Sequence, residues 1–310
     1  MAITAAMVKE LREMTGSGMI DCKKALEASD GDMEKAVEFL REKGLAAAAK
    51  KAGRIAAEGI VASLVEGNKA VLVEVNSETD FVAKNADFRK YVGDVAAQAM
   101  ASEASSFEAF MAEPWKLDPS KSVEQELSSQ ISIIGEKLSI RRYEKVEAEN
   151  GCVVDYIHGG GRIGVLVLAE TSVVNDTVVE ALKNIAMQIA ALRPQYVSRE
   201  EISDEFIEKE KEILKAQIMN DPKEAAKPEA VIQNMIAGRI SKELKDFCLM
   251  DQVYVRAEDG KQTVGKYLQQ ISKEVGATVT VKKFVRYETG EGMQKKEENF
   301  AEEVAKQMQR

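Results

Sequence analysis

The chain has 310 residues, 45% of them hydrophobic and 31% charged, too long for one small core and suited to two or three soluble globular domains. A net charge of −9 argues against sequence-independent nucleic-acid binding, which needs many Lys and Arg facing phosphates, and so favours a protein that binds proteins. Three scattered cysteines, Cys22, Cys152 and Cys248, form no disulfide framework or zinc spacing, and the single histidine, His158, removes most catalytic triads and His-rich metal sites.

Residues 1–52 are predicted as three short helices. Ile3, Met7, Leu11 and Met14 recur at helical spacing, TGSGM makes a glycine turn, and Ile20 to Ala28 form the second helix. Met33, Ala36, Val37 and Leu40 stripe a third, which Gly44 is expected to close before a linker from Leu45 to Arg54. This start is acidic and amphipathic, unlike a signal peptide, and no apolar run approaches the ~18 residues of a membrane span. With reduced thiols, these features predict a cytoplasmic protein with no membrane partner.

From Ile55 the pattern turns to strands. Gly59–Val65 and Ala70–Val75, joined at Glu66-Gly67-Asn68, predict a hairpin. The apolar run then stops at a polar turn, Asn76 to Asp80, where Ser77 and Asp80 have capping-box spacing. Phe81 and Val82 follow at once. A Phe in the first turn of a helix is ordinarily a core residue and a neighbouring Asp a cap; the alternative is a side chain that a rigid strand presents to a partner at the surface. A helix from Asp87 carries Phe88, Val92, Val95 and Ala99 on one face; 102–122 is expected to be an irregular connection; a helix Val123–Ile134 ends at Gly135 before a strand Leu138–Val146.

The order recurs: strand Cys152–Ile157, a turn at His158 to Gly161, strand Ile163–Ala169 and a helix Asp176–Leu192. VLVEVN beside VLVLAE, and KLSIRRYEKVE beside VTVKKFVRYET, indicate an internal duplication. Residues 193–238 interrupt the second half as a helical hairpin, its faces drawn through Ile202, Phe206, Ile213 and Ala216, and through Val231, Met235 and Ile236. A strand Val253–Arg256, a helix Thr263–Val275 and a strand Thr278–Tyr287 complete that half. Phe300, Val304 and Met308 stripe a terminal helix. The fold class expected is α+β: a three-helix module similar to ubiquitin-associated domains (1–52), a duplicated core with antiparallel sheets (53–149, then 150–192 with 239–289), an inserted helical hairpin or coiled coil (193–238) and a helical C-terminal module (290–310).

Three stretches, KELREMTGSGMIDCKKAL (Lys9–Leu26), TDFVAKNADF (Thr79–Phe88) and HGGGRIGVLV (His158–Val167), resemble bacterial elongation factor Ts, and the similarity continues to FAEEVAKQM near the end. The resemblance implies a guanine-nucleotide exchange factor for elongation factor Tu in translation elongation, with no bond chemistry and no cofactor of its own. It implies that Thr79, Asp80, Phe81 and Val82 contact the GDP-bound and nucleotide-free partner and dislodge its magnesium. Gly135 and His158 are implied as further contacts, the N-terminal module as a docking piece, and the hairpin as a route to a homodimer or 2:2 complex.

Two motifs compete with this. Gly260 to Lys266 match a phosphate-binding loop as far as the lysine, but Tyr267 stands where a Ser or Thr must hold magnesium, so Thr263 is better taken as a helix cap. The glycines 159–161 lie between strands rather than opening a helix, so they are a hairpin turn and not a dinucleotide fingerprint. An enzyme using His158 would need a nucleophile signature that is absent from the sequence. A scaffold acting through the N-terminal module alone would be indifferent to Asp80 and Phe81.

Overall fold

The computed structural model describes residues 3–294; the predicted terminal stripe at Phe300, Val304 and Met308 lies outside them. Helices α1 (Ala5–Thr15), α2 (Met19–Ala28) and α3 (Met33–Lys51) enclose a small core of their own, built on Leu11, Cys22, Ala25, Leu26, Ala36 and Leu40. Two expectations fail here. Met14 is exposed, because the buried face of α1 runs through Val8 and Leu11. Gly44 does not end α3, which continues to Lys51 and absorbs most of the expected linker. Gly44 lies instead where α3 crosses a later helix that contains Ser128: an added Cβ would stand 3.4 Å from the Ser128 carbonyl oxygen, so glycine permits the close approach.

Strands β1 (Glu58–Glu66) and β2 (Lys69–Ser77) pair in register around the two-residue turn Gly67-Asn68, as the turn chemistry predicts. A five-residue helix α4 (Asp80–Lys84) leads through Asn85 into α5 (Ala86–Ala101), whose Phe88, Val92, Val95 and Ala99 are all buried. The segment 102–122 is more ordered than expected. It holds α6 (Phe107–Ala112) and a small ribbon of β3 (Pro114–Trp115) and β4 (Asp118–Ser122), because buried Phe110 and Trp115 anchor it to the first core. Helix α7 (Val123–Ile134) opens with a full capping box at Ser122 and Gln125, ends at Gly135 in the left-handed region, and returns to β5 (Ser139–Glu147).

The second half repeats this: β6 (Gly151–His158), β7 (Ile163–Glu170), α8 (Asp176–Leu192), an inserted arm, α12 (Val264–Val275) and β8 (Thr280–Glu288). Both sheets are three-stranded and antiparallel, in the orders β1-β2-β5 and β6-β7-β8. The duplication reaches down to irregularities: the register shifts between Glu74 and Val75 in β2 and between Leu168 and Ala169 in β7, the corresponding places of VLVEV and VLVLA. One face of each sheet carries its helices, and the other faces meet over Val61, Ala70, Leu72, Val153, Leu166 and Val285. Gly164 makes that approach feasible, since a Cβ there would lie 2.5 Å from Val61 Cγ1.

The arm comprises α9 (Asp204–Asn220), α10 (Pro222–Ala225) and α11 (Glu229–Phe247). It is longer than expected: Gly238 faces solvent inside α11 without ending it. Its buried seam is Leu214, Ile218, Ile232, Ile236 and Ile240, with Met235 partly buried against it. Ile213 and Val231, placed on that seam by spacing, are exposed, because the seam takes the neighbouring position on each helix. Val253–Arg256 is not a strand; it makes one isolated bridge, Val253 to Thr263. The buried Gln188 amide takes the place of a neighbouring strand there, donating to the Val253 carbonyl (3.0 Å) and accepting from Val255 N–H (2.8 Å). Thr263 caps α12 as expected, accepting from Lys266 N–H. Among the described residues no helix is long and apolar enough to cross a membrane.

Candidate functional site

Buried strand β2 delivers the chain to a surface turn. Ser77 is its last residue and does not cap the helix as expected; its hydroxyl donates to the Thr79 carbonyl at 3.0 Å. The cap is Thr79, whose Oγ1 accepts from Val82 N–H at 3.3 Å, because the strand consumes Ser77 before the backbone turns. Asn85 ends α4 and caps α5, accepting from Asp87 and Phe88 N–H, so the two helices share one hinge residue.

Ala83 is buried and Val82 half-buried against the first core, while Phe88, in the next helix, fills the place a core aromatic needs. Phe81 therefore points away and is 80% exposed, which decides the question left open by its spacing. Beside it Asp80 pairs with Lys84 (2.5 Å), and that bond holds its carboxyl below the ordinary carboxylate range. A large apolar ring and a persistent negative charge are thus presented side by side.

A feature invisible to sequence periodicity holds this turn. Glu136, directly after the Gly135 cap of α7, accepts from Glu78 N–H (3.1 Å) and Thr79 N–H (3.0 Å) through Oε2, and from the Thr79 hydroxyl (2.7 Å) through Oε1. In return Glu78 Oε1 accepts from Lys137 N–H at 2.6 Å. Gly135 itself is exposed with φ +85°, and among the described residues nothing lies within 4 Å of where its Cβ would be.

The second half adds the β6–β7 turn. Gly159, Gly160 and Gly161 all have positive φ, and Gly161 approaches Ile60 so closely that a Cβ would fall 2.8 Å from the Ile60 Cβ. Arg89 of α5 donates to the Gly160 carbonyl (2.7 Å), drawing this turn beside α4. One cleft is lined by Asp80, Lys84, Arg89, Gly159, Gly160 and Arg162. The two turns do meet, but not as structural equivalents: the counterpart of Thr79–Val82 follows β7 at Thr171, whereas 158–161 corresponds to the Gly67-Asn68 turn. His158 is exposed, does not line the cleft, and hydrogen-bonds through Nδ1 with the Tyr156 hydroxyl at 3.0 Å.

The family described as elongation factor TS matches residues 78–291. The chain belongs to the elongation factor Ts family. Relatives bearing the name Elongation factor Ts include that of Clostridium perfringens strain SM101, 52% identical with 98% of each chain covered. Those of Clostridium novyi and Clostridioides difficile are each 50% identical with 99% of each chain covered. The matched span begins one residue before Thr79 and ends just beyond β8, so it takes in both turns, Glu136 and the arm.

Proposed function

We propose that this chain is the guanine-nucleotide exchange factor for elongation factor Tu in translation elongation, and that it acts through the Thr79–Val82 turn. The observation that carries the site is Phe81, 80% exposed on a turn clamped from outside itself. An exposed aromatic at a fixed place is suited to enter an apolar pocket of a partner. The factor performs no bond chemistry. It binds the nucleotide-free GTPase more tightly than the GDP-bound form, and linkage requires that it weaken GDP binding by the same ratio.

A ratio of ~10⁴ corresponds to about 5.5 kcal/mol of differential interaction. Burying Phe81 supplies ~1.5–3 kcal/mol of that. Asp80 supplies a different effect: in such GTPases magnesium anchors the nucleotide phosphates, and a carboxylate brought against its shell competes for the groups that hold it. Thr79 and Val82 set the backbone from which both residues project. Gly135 and His158 serve as secondary contacts on the partner's nucleotide-binding domain.

The remaining parts take supporting roles. The N-terminal module has its own core and packs through α3 on α7, which suits a ubiquitin-associated-like docking piece for residues 1–52. The two halves are the subdomains 53–149 and 150–192 with 239–289. The helical arm is a short antiparallel coiled coil, and exposed Ile213, Met219 and Val231 offer apolar surface for a second copy in a homodimer or 2:2 complex. The setting is cytoplasmic, with no direct nucleic-acid partner.

Release of a fluorescent GDP from elongation factor Tu tests the site. Phe81→Ala should fold normally and lose about tenfold to a hundredfold of the acceleration, the range set by ~1.5–3 kcal/mol. Undiminished acceleration by Phe81→Ala and Asp80→Ala would remove the site from this turn.

A further inference from the structure

We propose that Glu136 is the positioning residue of the exchange turn: it fixes the backbone from which Phe81 projects, without touching the partner itself. This rests on the exchange role assigned above to Thr79–Val82. Phe81 is so exposed that no packing among the described residues holds its direction. Helix α4 has five residues, too few to be stable by itself. The aim of the ring is therefore inherited from the backbone at 78–80.

Ser77 and Arg54 also bond at this turn, but three bonds to it converge on one carboxylate. Both Glu136 oxygens are used, Oε2 by two successive N–H groups and Oε1 by the Thr79 hydroxyl. The hydroxyl, having turned its proton to Glu136, presents its free lone pairs to Val82 N–H, so the same side chain sets the helix cap. Charge-assisted bonds of this kind are shorter and stronger than neutral ones. Glu136 is in turn placed by the left-handed Gly135 cap and by Lys137, whose N–H donates to Glu78 and whose ammonium donates to the Ala52 and Arg54 carbonyls.

The test measures GDP release at saturating factor together with the half-saturating concentration, in the full chain, for Glu136→Ala, Glu136→Gln, Phe81→Ala and the double variant. Glu136→Ala should slow saturated release about tenfold while half-saturation moves less than about threefold, since a misaimed ring affects the chemistry of release more than docking. In the Phe81→Ala background the same substitution should cost clearly less than in the wild type, because the ring it aims is gone and only the aim of Asp80 is left to lose. Glu136→Gln should recover most of the rate: its carbonyl oxygen accepts both N–H groups and its amide donates to Thr79 Oγ1.

If Glu136→Ala does not fold, Glu136→Asp, which withdraws the carboxylate by one methylene, takes its place with the same expected slowing. Wild-type release by Glu136→Ala overturns the proposal, as does a loss that persists undiminished on top of Phe81→Ala. A Gln variant as slow as Ala also overturns it. Full activity of Phe81→Ala alone would refute the part assigned to the ring, and the positioning role with it.

Discussion

Replacing Glu74 with leucine should destabilise the core by about 3 kcal/mol, although leucine is the residue at the corresponding position of the second half, Leu168. Glu74 is fully buried on the face where the two sheets meet. Its carboxylate accepts from Arg141 Nη1 (2.9 Å), Arg142 Nε (2.7 Å), Asn76 Nδ2 (3.2 Å) and Gly290 N–H (2.8 Å), so it ties β2 to β5 and to the segment after β8. The largest loss is the Gly290 N–H, which stays inside without an acceptor at about 1–3 kcal/mol.

The two arginines lose charge-assisted bonds, but their side chains are 26% and 32% exposed, and Arg142 also lies over the Tyr287 ring, 4.0 Å from its centroid. They turn partly to water, so roughly 1 kcal/mol each is a fair share. The buried leucine offsets about 1 kcal/mol of the total. Calorimetry should then place the unfolding midpoint roughly 5 °C lower. A midpoint within a degree or two of wild type would refute the argument, since it would mean that the carboxylate is no better than an apolar filler at this joint.

Two further substitutions probe the same interface. Gly164→Ala forces a methyl to within 2.5 Å of Val61 Cγ1 and 2.8 Å of Leu72 Cδ1, and overpacking of this kind should cost ~1–3 kcal/mol. Adding Val61→Ala should recover part of that in thermal melts, and no recovery would show the clash lies elsewhere. Burial pushes the Tyr287 hydroxyl up to about 12, with the nearby Glu144 adding to it. Between pH 10, where an unfolded tyrosine ionises, and about 12 the folded chain keeps a proton that the unfolded chain releases, so this contribution is whole below pH 10 and is lost as pH rises. Tyr287→Phe should flatten the stability loss in that window, measured by urea unfolding at several pH values; an unchanged slope would refute it.

Much of the architecture was legible because it rests on periodicity and punctuation. The Gly67-Asn68 hairpin, the Phe88–Ala99 stripe, the capped ends of α7 and both bounds of α8 all carry strong local signals. The duplication was legible from paired strand motifs, and the shared register shift is its structural counterpart. What escaped was set by contacts distant in sequence. Spacing cannot tell whether Phe81 faces in or out when Phe88 competes for the same core. Ser77 and Thr79 are both capable caps, and only the length of β2 decides between them. Val253–Arg256 looks like a strand, but it is satisfied by a side-chain amide instead of a neighbour. Glu136 follows a helix-ending glycine, a faint local sign, and its bonds to the turn lie 57 residues away in the chain.

The arm's base bears on how such a chain can grow. Gln195 and Tyr196 N–H donate to the Phe247 carbonyl, and Leu249 and Met250 N–H return to the Tyr196 and Val197 carbonyls, so the arm leaves and re-enters the core at nearly one point. In the first half the α6 and β3–β4 elaboration occupies the matching joint, between α5 and α7 as the arm lies between α8 and α12. Both halves thus carry their extra elements at the same seam. A module grafted across the Tyr196–Leu249 junction in place of the arm would inherit a closed doorway and leave the two sheets, and the turn beyond them, undisturbed.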